Sequence, residues 1–538
     1  MHGLVRRSRV RWRRLSTSLF APVRLPLCLV DWLGRFRNLV GAGLPGTNPP
    51  RGPLLTLALL AAFVAVWTIY GAISAAPAAI HNDMAEAYVW GREFQLGYAK
   101  HPPFWAWIAG LWFDVFPRTN WAFALLATLN AALGLLGSWM LIGDFAEGDR
   151  RLTATILLLL TPFYTFLALK YNANSIFLSL WPWTLHFFVR SVDERRPSDA
   201  VLFGLFMGLA MLSKYFALIL AATCFVAALV HPARRAYFRS ASPYVSFLVA
   251  AIVFAPHAWW LARSSAAPVG YFIHKTGLGT MSVIISCIVL LVGVIAFHSI
   301  IIGLIALTKG DLPRDWLATL RARWLEPRFR MLMILSVLPL ALTLIAGLAF
   351  RLRPSTNMTI AIFSLMPLLF LELAGSKGDQ RLHRLSLALV ISLTLAALAL
   401  SPAVALAKFW FATDVNYVEP RKELAREATK IWHETTASPL LYVAGSQRYE
   451  DAVAFYSPDR PHVFEHLDPN RAPWVKAEEL GEAGLLVVCV NTDKQCLAST
   501  ARFSTPLAHS AQLTLVHSFW GYTARRSSFI VTVVPPRP

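Results

Sequence analysis

The sequence predicts a mainly α protein, a polytopic membrane bundle of about eleven spans followed by a soluble α/β domain. Three observations carry that expectation. The 538 residues are 56% hydrophobic and only 15% charged, with mean hydropathy +0.52. Soluble domains hold roughly 45–50% apolar and about 25% charged residues. Apolar runs approaching the roughly 20 residues that cross a bilayer recur from Leu54 to Phe411. Beyond Phe411 the pattern changes to short apolar runs set among polar ones. The same composition excludes intrinsic disorder.

The net charge of +20 and the pI near 10.1 would suggest nucleic acid in a soluble protein. The distribution argues otherwise. Residues 1–52 hold ten Arg, no Lys and one acid, Asp31. Residues 53–411 hold 27 basic and 15 acidic residues, and residues 412–538 hold 13 and 14. The excess therefore belongs to the tail and the membrane part. The start RRSRVRWRR lies too far from the first long apolar run to be a clean secretory signal. It is expected to lie on an anionic cytoplasmic leaflet. No nucleic-acid partner is called for, because a positive-inside bias accounts for the charge.

Taken in order, spans are expected near 54–76, 120–142, 152–169, 174–190, 200–213, 215–231, 243–261, 283–307, 330–350, 358–375 and 386–411. The pair 200–213 and 215–231 is divided at Lys214. Keeping them separate leaves the basic loops DRR, DERRP, ARRAYFR and KGDQRLHR on one side with the N-terminus, as the positive-inside rule requires. Residues 412–538 then lie outside the cytoplasm. There LLYVAG (440–445), LLVVCV (485–490) and FIVTVV (529–534) read as buried strands, and 419–436 as an amphipathic helix. Cys489 and Cys496 are the cysteines of that region. In an oxidising compartment a bridge between them is expected in preference to two unrelated thiols.

Four outer-side acids of the membrane part, Asp83, Glu86, Glu93 and Asp114, all fall in one long loop, 77–119. Asp83 and Glu86 are three apart and share a helix face. Two such carboxylates can bind a metal or share a proton, and one beside a hydroxyl is a general base. Gly97 and Pro102-Pro103 break the helix, leaving Lys100 and His101 available to a phosphate. Phe104 to Phe116 is too short to span and suits an interfacial helix. Were Asp83 isolated, it would read as a helix cap; the surrounding pattern favours a site.

These residues carry a resemblance. An Asp closing the first span, an acid three later, a Tyr, a Gly, then His-Pro-Pro and an aromatic helix is similar to the GT-C class of membrane glycosyltransferases. Within it the chain resembles the bacterial branch of protein O-mannosyltransferases and aminoarabinose transferases, whose members include galacturonosyltransferases acting on lipopolysaccharide. KYNANSIFLSLWPWTLHFF (170–188), LSKYF (212–216), PHAWWL (256–261) and AFYSPDRP (454–461) add to it, and the resemblance covers roughly 54–411.

The resemblance implies a sugar donor on a polyprenyl phosphate and a lipid A/core, glycolipid or protein acceptor at the outer face of a bacterial inner membrane. It implies inversion at the anomeric carbon with Asp83 as base and Glu86 assisting. No nucleotide cofactor is implied, and no Rossmann-type Gly-rich loop is present. Cations for the leaving phosphate would be Lys100 first and Arg351 and Arg353 second. The family's acid near the fourth span is replaced here by Lys170-Tyr171-Asn172-Ala173-Asn174, whose amides can orient a sugar but not act as bases. That departure leaves the divalent-metal question open. His257 is a candidate sugar or phosphate contact beside an interfacial Trp pair. A transporter or flippase for lipid-linked sugars is the rival class. It usually carries mid-membrane ionisable residues and internal repeats; here the acids cluster in an outer loop and no internal repeat is found.

Overall fold

The computed structural model describes residues 52–538 except 265–266, 310–315, 376–377, 413, 504 and 538; the Arg-rich tail lies outside the described residues. From the N-terminus the helices are α1 (Gly52–Ser74), α2 (Asn82–Glu93), α3 (Phe104–Val115), α4 (Asn120–Gly143), α5 (Gly148–Leu159) and α6 (Phe177–Asp193). There follow α7 (Pro197–Met211), α8 (Ala217–Val230), α9 (Arg234–Arg239), α10 (Ser242–Arg263), α11 (Ala267–Lys275) and α12 (Thr280–Lys309). The helical part closes with α13 (Trp316–Trp324), α14 (Pro327–Ala349), α15 (Thr356–Thr359), α16 (Met366–Ala374) and α17 (Asp379–Trp410).

Six of these, α1, α4, α10, α12, α14 and α17, are long and apolar enough to cross a membrane. The protein is a multi-pass membrane protein. The other five apolar segments of the sequence are shorter. The run 152–169 is helical only to Leu159 and continues as turns through Pro162, which cannot donate into a helix ladder. The run 358–375 likewise turns before α16, which starts with Pro367 at its first turn. The pair divided at Lys214 does form two helices, α7 and α8, joined by a turn.

The C-terminal part begins with α18 (Arg421–Thr435) and continues β1 (Tyr442–Gly445), α19 (Gln447–Tyr456), β2 (His462–Phe464), α20 (Ala477–Ala483), β3 (Leu485–Val490), α21 (Lys494–Thr500), β4 (His509–Leu515), β5 (Ser518–Phe519), β6 (Tyr522–Thr523) and β7 (Ser527–Val534). Five strands make one sheet in the order β2-β1-β3-β7-β4. β1 runs parallel to β2 and β3, while β7 is antiparallel to β3 and β4. β3 is buried along almost its whole length, so its unbroken apolar run reads clearly as a central strand. β2 is three residues long and β4 alternates exposed polar positions, and neither stands out in the sequence. Cys489 on β3 and Cys496 on α21 form a disulfide.

One hydrophobic core runs without a break from α2, α3 and α4 into α18 and the sheet. Phe455 of α19 is its pivot, with ring contacts to Tyr88, Phe113 and Phe123 at 5.2, 5.5 and 5.8 Å. The loop helices α2 and α3 are thus sandwiched between the bundle and the C-terminal sheet.

Candidate active site

α2 and α3 pack back to back because Gly91 faces Gly110. A Cβ on Gly91 would collide with the Ala106 carbonyl and the Gly110 backbone. The chain between them is pinned at three points. Phe104 N–H donates to the Leu212 carbonyl at 2.9 Å. The Tyr171 hydroxyl donates to the Trp105 carbonyl at 2.9 Å. The Tyr98 hydroxyl donates to the Trp90 carbonyl.

His81 caps α2, its Nδ1 accepting from Asp83 N–H at 3.1 Å. Burial, then Lys170, push His81 down to about 4, so it stays a neutral acceptor. Asp83 lies in the first turn, where a negative charge complements the helix dipole. Its Oδ2 receives the Lys170 ammonium at 2.9 Å and the Asn172 amide at 3.0 Å. Burial alone would raise this carboxyl, but Lys170, His81 and Asn172 outweigh it and hold Asp83 below the ordinary carboxylate range. Among the described residues no donor is bonded to Oδ1, which leaves that oxygen open. The Asp83 side chain is 40% exposed.

Asn172 is itself locked. Its Oδ1 accepts from Asn174 N–H at 2.8 Å and Ser175 N–H at 3.0 Å, an Asx turn that aims the amide nitrogen at Asp83. Asn174 Oδ1 accepts from Lys214 Nζ at 2.6 Å. Lys214, from the turn between α7 and α8, therefore joins the group with a neutral partner.

Glu86 lies one turn beyond Asp83. Lys100 Nζ is 2.5 Å from its Oε1. Burial pushes Glu86 up to about 7 against the pull of Lys100. Lys100 is raised despite burial because Glu86 holds its charge. Behind the pair are three acids of the C-terminal part, Glu450, Asp451 and Glu465. Burial first, then mutual repulsion, raises Glu450, and burial with Glu86 and Glu465 raises Asp451. Glu465 accepts from Trp90 Nε1 at 3.4 Å and Arg471 at 3.3 Å.

The structure brings Asp83, Glu86, Lys100, Lys170, Asn172 and Asn174 into one neighbourhood. It also gives several candidates partners of their own. Lys100 is ion-paired to Glu86 rather than free for a phosphate. His101 is held neutral because burial takes it well below its usual value, so it offers no charge. Tyr171 is fully buried and positions Trp105. His257 is also fully buried, with Nδ1 bonded to the Leu96 carbonyl at 2.7 Å and Nε2 to the Tyr215 hydroxyl at 2.9 Å. Both ring nitrogens are used, so His257 is a strut. Among the described residues no hydrogen bond or ion pair joins Arg351 or Arg353 to the Asp83 group; Arg353 donates to Ser282 at 2.7 Å. Among the described residues no group of three or more His, Cys, Asp or Glu could hold a metal ion.

Lys214, which from sequence reads equally as a snorkelling lysine or as a side chain facing the site, joins the group through Asn174. What escaped sequence reasoning is the grip of the C-terminal part on α2. Arg421, 1% exposed, donates to Asn82 Oδ1 at 2.6 Å and the Ile80 carbonyl at 3.3 Å. Ile80 N–H donates to the Tyr456 hydroxyl at 2.7 Å. His517 bridges Glu423 and the Pro77 carbonyl, both at 2.8 Å. Glu93 pairs with His462 at 2.8 Å.

Residues 100–260 match the family model described as dolichyl-phosphate-mannose-protein mannosyltransferase. The match holds Lys100, Lys170, Asn172, Asn174 and Lys214 and starts after Asp83. No curated protein is matched by the sequence. Among solved structures, ArnT from Cupriavidus metallidurans in the apo state is 15% identical with TM-score 0.55, over 89% of this chain and 97% of that one. The same protein bound to undecaprenyl phosphate aligns over the same shares at 15% identity and TM-score 0.53. The Archaeoglobus fulgidus oligosaccharyltransferase in its apo form is 13% identical with TM-score 0.42, over 76% and 64%. The chain thus has the ArnT-like fold of the GT-C membrane glycosyltransferases, with its small C-terminal sheet domain.

Proposed function

We propose that the chain is a polyprenyl-phosphate-dependent glycosyltransferase of a bacterial inner membrane. The observation that carries this is Asp83, a carboxylate kept ionised at a helix start, with one oxygen held by Lys170 and Asn172 and the other open. The family match and the fold shared with a protein that binds undecaprenyl phosphate support the donor class. The tail, residues 1–52, is cytoplasmic on this reading; residues 53–411 form the transferase part, and residues 412–538 a periplasmic domain.

The acceptor hydroxyl oxygen attacks the anomeric carbon, and its proton passes to Asp83 Oδ1. The bond from that carbon to the phosphate oxygen breaks with inversion. Polyprenyl phosphate leaves with the electron pair. A base held below its ordinary pKa is weak but always ready at neutral pH. The leaving phosphate needs a cation. Lys214, whose partner is the neutral Asn174 amide, is better suited than Lys100 or Lys170, each tied to a carboxylate. The acceptor is a lipid A/core sugar, another glycolipid or a protein.

The test is transfer from a radiolabelled polyprenyl-phosphate sugar to endogenous acceptor in membranes. Asp83→Asn should lose about a hundredfold to ten-thousandfold of the wild-type rate. Full activity in that variant would overturn the assignment.

A further inference from the structure

The hairpin β5–β6 stands apart from the five-stranded sheet. Ser518 pairs with Thr523 and Phe519 with Tyr522, so Trp520 and Gly521 alone make the turn. Their φ values are +48° and +82°. Two-residue turns with both φ positive favour Asn-Gly, and a bulky side chain in that conformation is strained. Trp520 is nevertheless 67% exposed, its ring stacked only on the neighbouring Phe519 at 4.9 Å. A strained turn position given to a large exposed aromatic points to a use outside the fold.

The hairpin is tied to one height relative to the membrane. α17 is one of the six helices able to cross a bilayer. Its uncharged stretch, residues 385–407, is about 35 Å long at 1.5 Å per residue, which fits the roughly 30 Å hydrocarbon core with a slight tilt. Lys408 therefore stands at the boundary, with Trp410 and Phe411 in the headgroup layer. The hairpin closes on this end of the helix. Tyr522 meets Trp410 edge-on at 5.1 Å, and Phe519 meets Phe409 at 6.0 Å. Phe411 is 76% exposed, and Trp410 and Tyr522 are exposed with it. Tryptophan and tyrosine collect at the membrane–water interface, where an apolar ring and a polar edge are both served. Arg525 and Arg526 follow the hairpin and are exposed; among the described residues neither is ion-paired to a carboxylate. Guanidinium forks recognise phosphate oxygens in particular.

We propose that the β5–β6 hairpin is an interfacial anchor for the C-terminal part. Trp520, Tyr522, Trp410 and Phe411 sit in the headgroup layer at the end of α17, and Arg525 and Arg526 take phospholipid phosphates. The occupant follows from the place: the patch is continuous with the end of a span, so the bilayer that the chain itself crosses is its nearest partner. The anchor has a consequence for the loop. His517, next to β5, holds the Pro77 carbonyl at 2.8 Å, six residues before Asp83. Seating the hairpin in the headgroups thus sets the height of α2 at the membrane surface. The anchor does not depend on the transferase reading.

The test uses the full-length protein in phospholipid nanodiscs, with a nitroxide attached at Trp520→Cys and the unsubstituted chain treated alike as background. Collisions with oxygen, which concentrates in lipid, are compared with collisions with a water-soluble nickel chelate. The oxygen-to-nickel ratio should be severalfold higher than at Arg426→Cys, on the exposed side of α18, and close to that at Phe411→Cys. Tyr522→Cys, which keeps the indole, should give the same order. A ratio at both hairpin positions equal to that at Arg426→Cys would overturn the proposal. Shielding from both reagents would overturn it as well, since that would mark a protein partner or a second copy over the hairpin. Adding anionic phospholipid to the nanodiscs should raise the ratio at Trp520→Cys severalfold, and combining Arg525→Gln with Arg526→Gln should abolish that rise. An undiminished rise in the combined variant would overturn the role of the two arginines.

Discussion

Asp83 balances two demands, and Lys170 sets the balance. The ammonium keeps the carboxylate ionised, and it also makes the carboxylate a weaker base. Lys170→Met would remove the main opposing charge, so the Asp83 pKa should rise from its depressed position. The acid limb of the pH–rate profile should then move to higher pH. An unmoved limb would mean that Asp83 is not the group titrating there. Glu86 makes an opposite case. Burial raises it from 4.5 to about 7, so the folded protein holds this proton more tightly than the unfolded chain does. Its contribution to stability is whole below about pH 4.5 and is lost as pH rises through about 7. Thermal unfolding followed from about pH 5 to about pH 8 should show that fall. Glu86→Gln, which stays neutral throughout, should flatten it; an unchanged slope would move the effect to the acids behind.

The elements explain why the site reads only in part from the sequence. Asp83 and Glu86 stand out because acids are rare in an apolar chain and these two share one turn of α2. Their partners do not stand out. Asn172 reaches Asp83 from 89 positions away, and neither periodicity nor composition carries a contact of that range. Residues 174–175 read as the start of a span, yet the segment Lys170–Ser175 turns, because the Asn172 side chain captures two backbone N–H groups that a helix would use. The same gap led to Arg351 and Arg353, which among the described residues make no hydrogen bond or ion pair with the Asp83 group. The α2–α3 contact is the element on which the geometry depends, and it works because two glycines touch. Gly110→Val would drive the helices apart and shift Asp83 relative to Lys170. A shift of about 1 Å at a reacting group costs roughly a hundredfold in rate. Transfer should drop by that order while helix content, read by circular dichroism, stays near wild type. Full activity in Gly110→Val would show that the catalytic geometry does not depend on this packing.

At the scale of the whole molecule the C-terminal part is a brace for the loop helix. The hydropathy break near residue 412 suggests two separable units, but the core crosses it and the polar contacts concentrate on residues 77–93. Arg421 is the sharpest of these contacts. It is nearly sealed from solvent, it leans on Glu419, and its terminal nitrogen holds Asn82, the neighbour of Asp83. Arg421→Met keeps the length and apolar stem of the side chain and removes the donors. Lost charged hydrogen bonds of this kind cost about 1.5–3 kcal/mol each, so the unfolding midpoint should fall. A stability loss alone would not establish a role in transfer, because any buried arginine would produce one. The discriminating measurement is the split between kcat and KM below the new midpoint. If the C-terminal part sets the Asp83 position, kcat should fall about tenfold or more while the donor KM stays near wild type, since the lost interaction bears on the reacting geometry and not on donor binding. A variant that unfolds earlier yet turns over at the wild-type rate when folded would make the C-terminal part a stabilising cover with no hold on the chemistry.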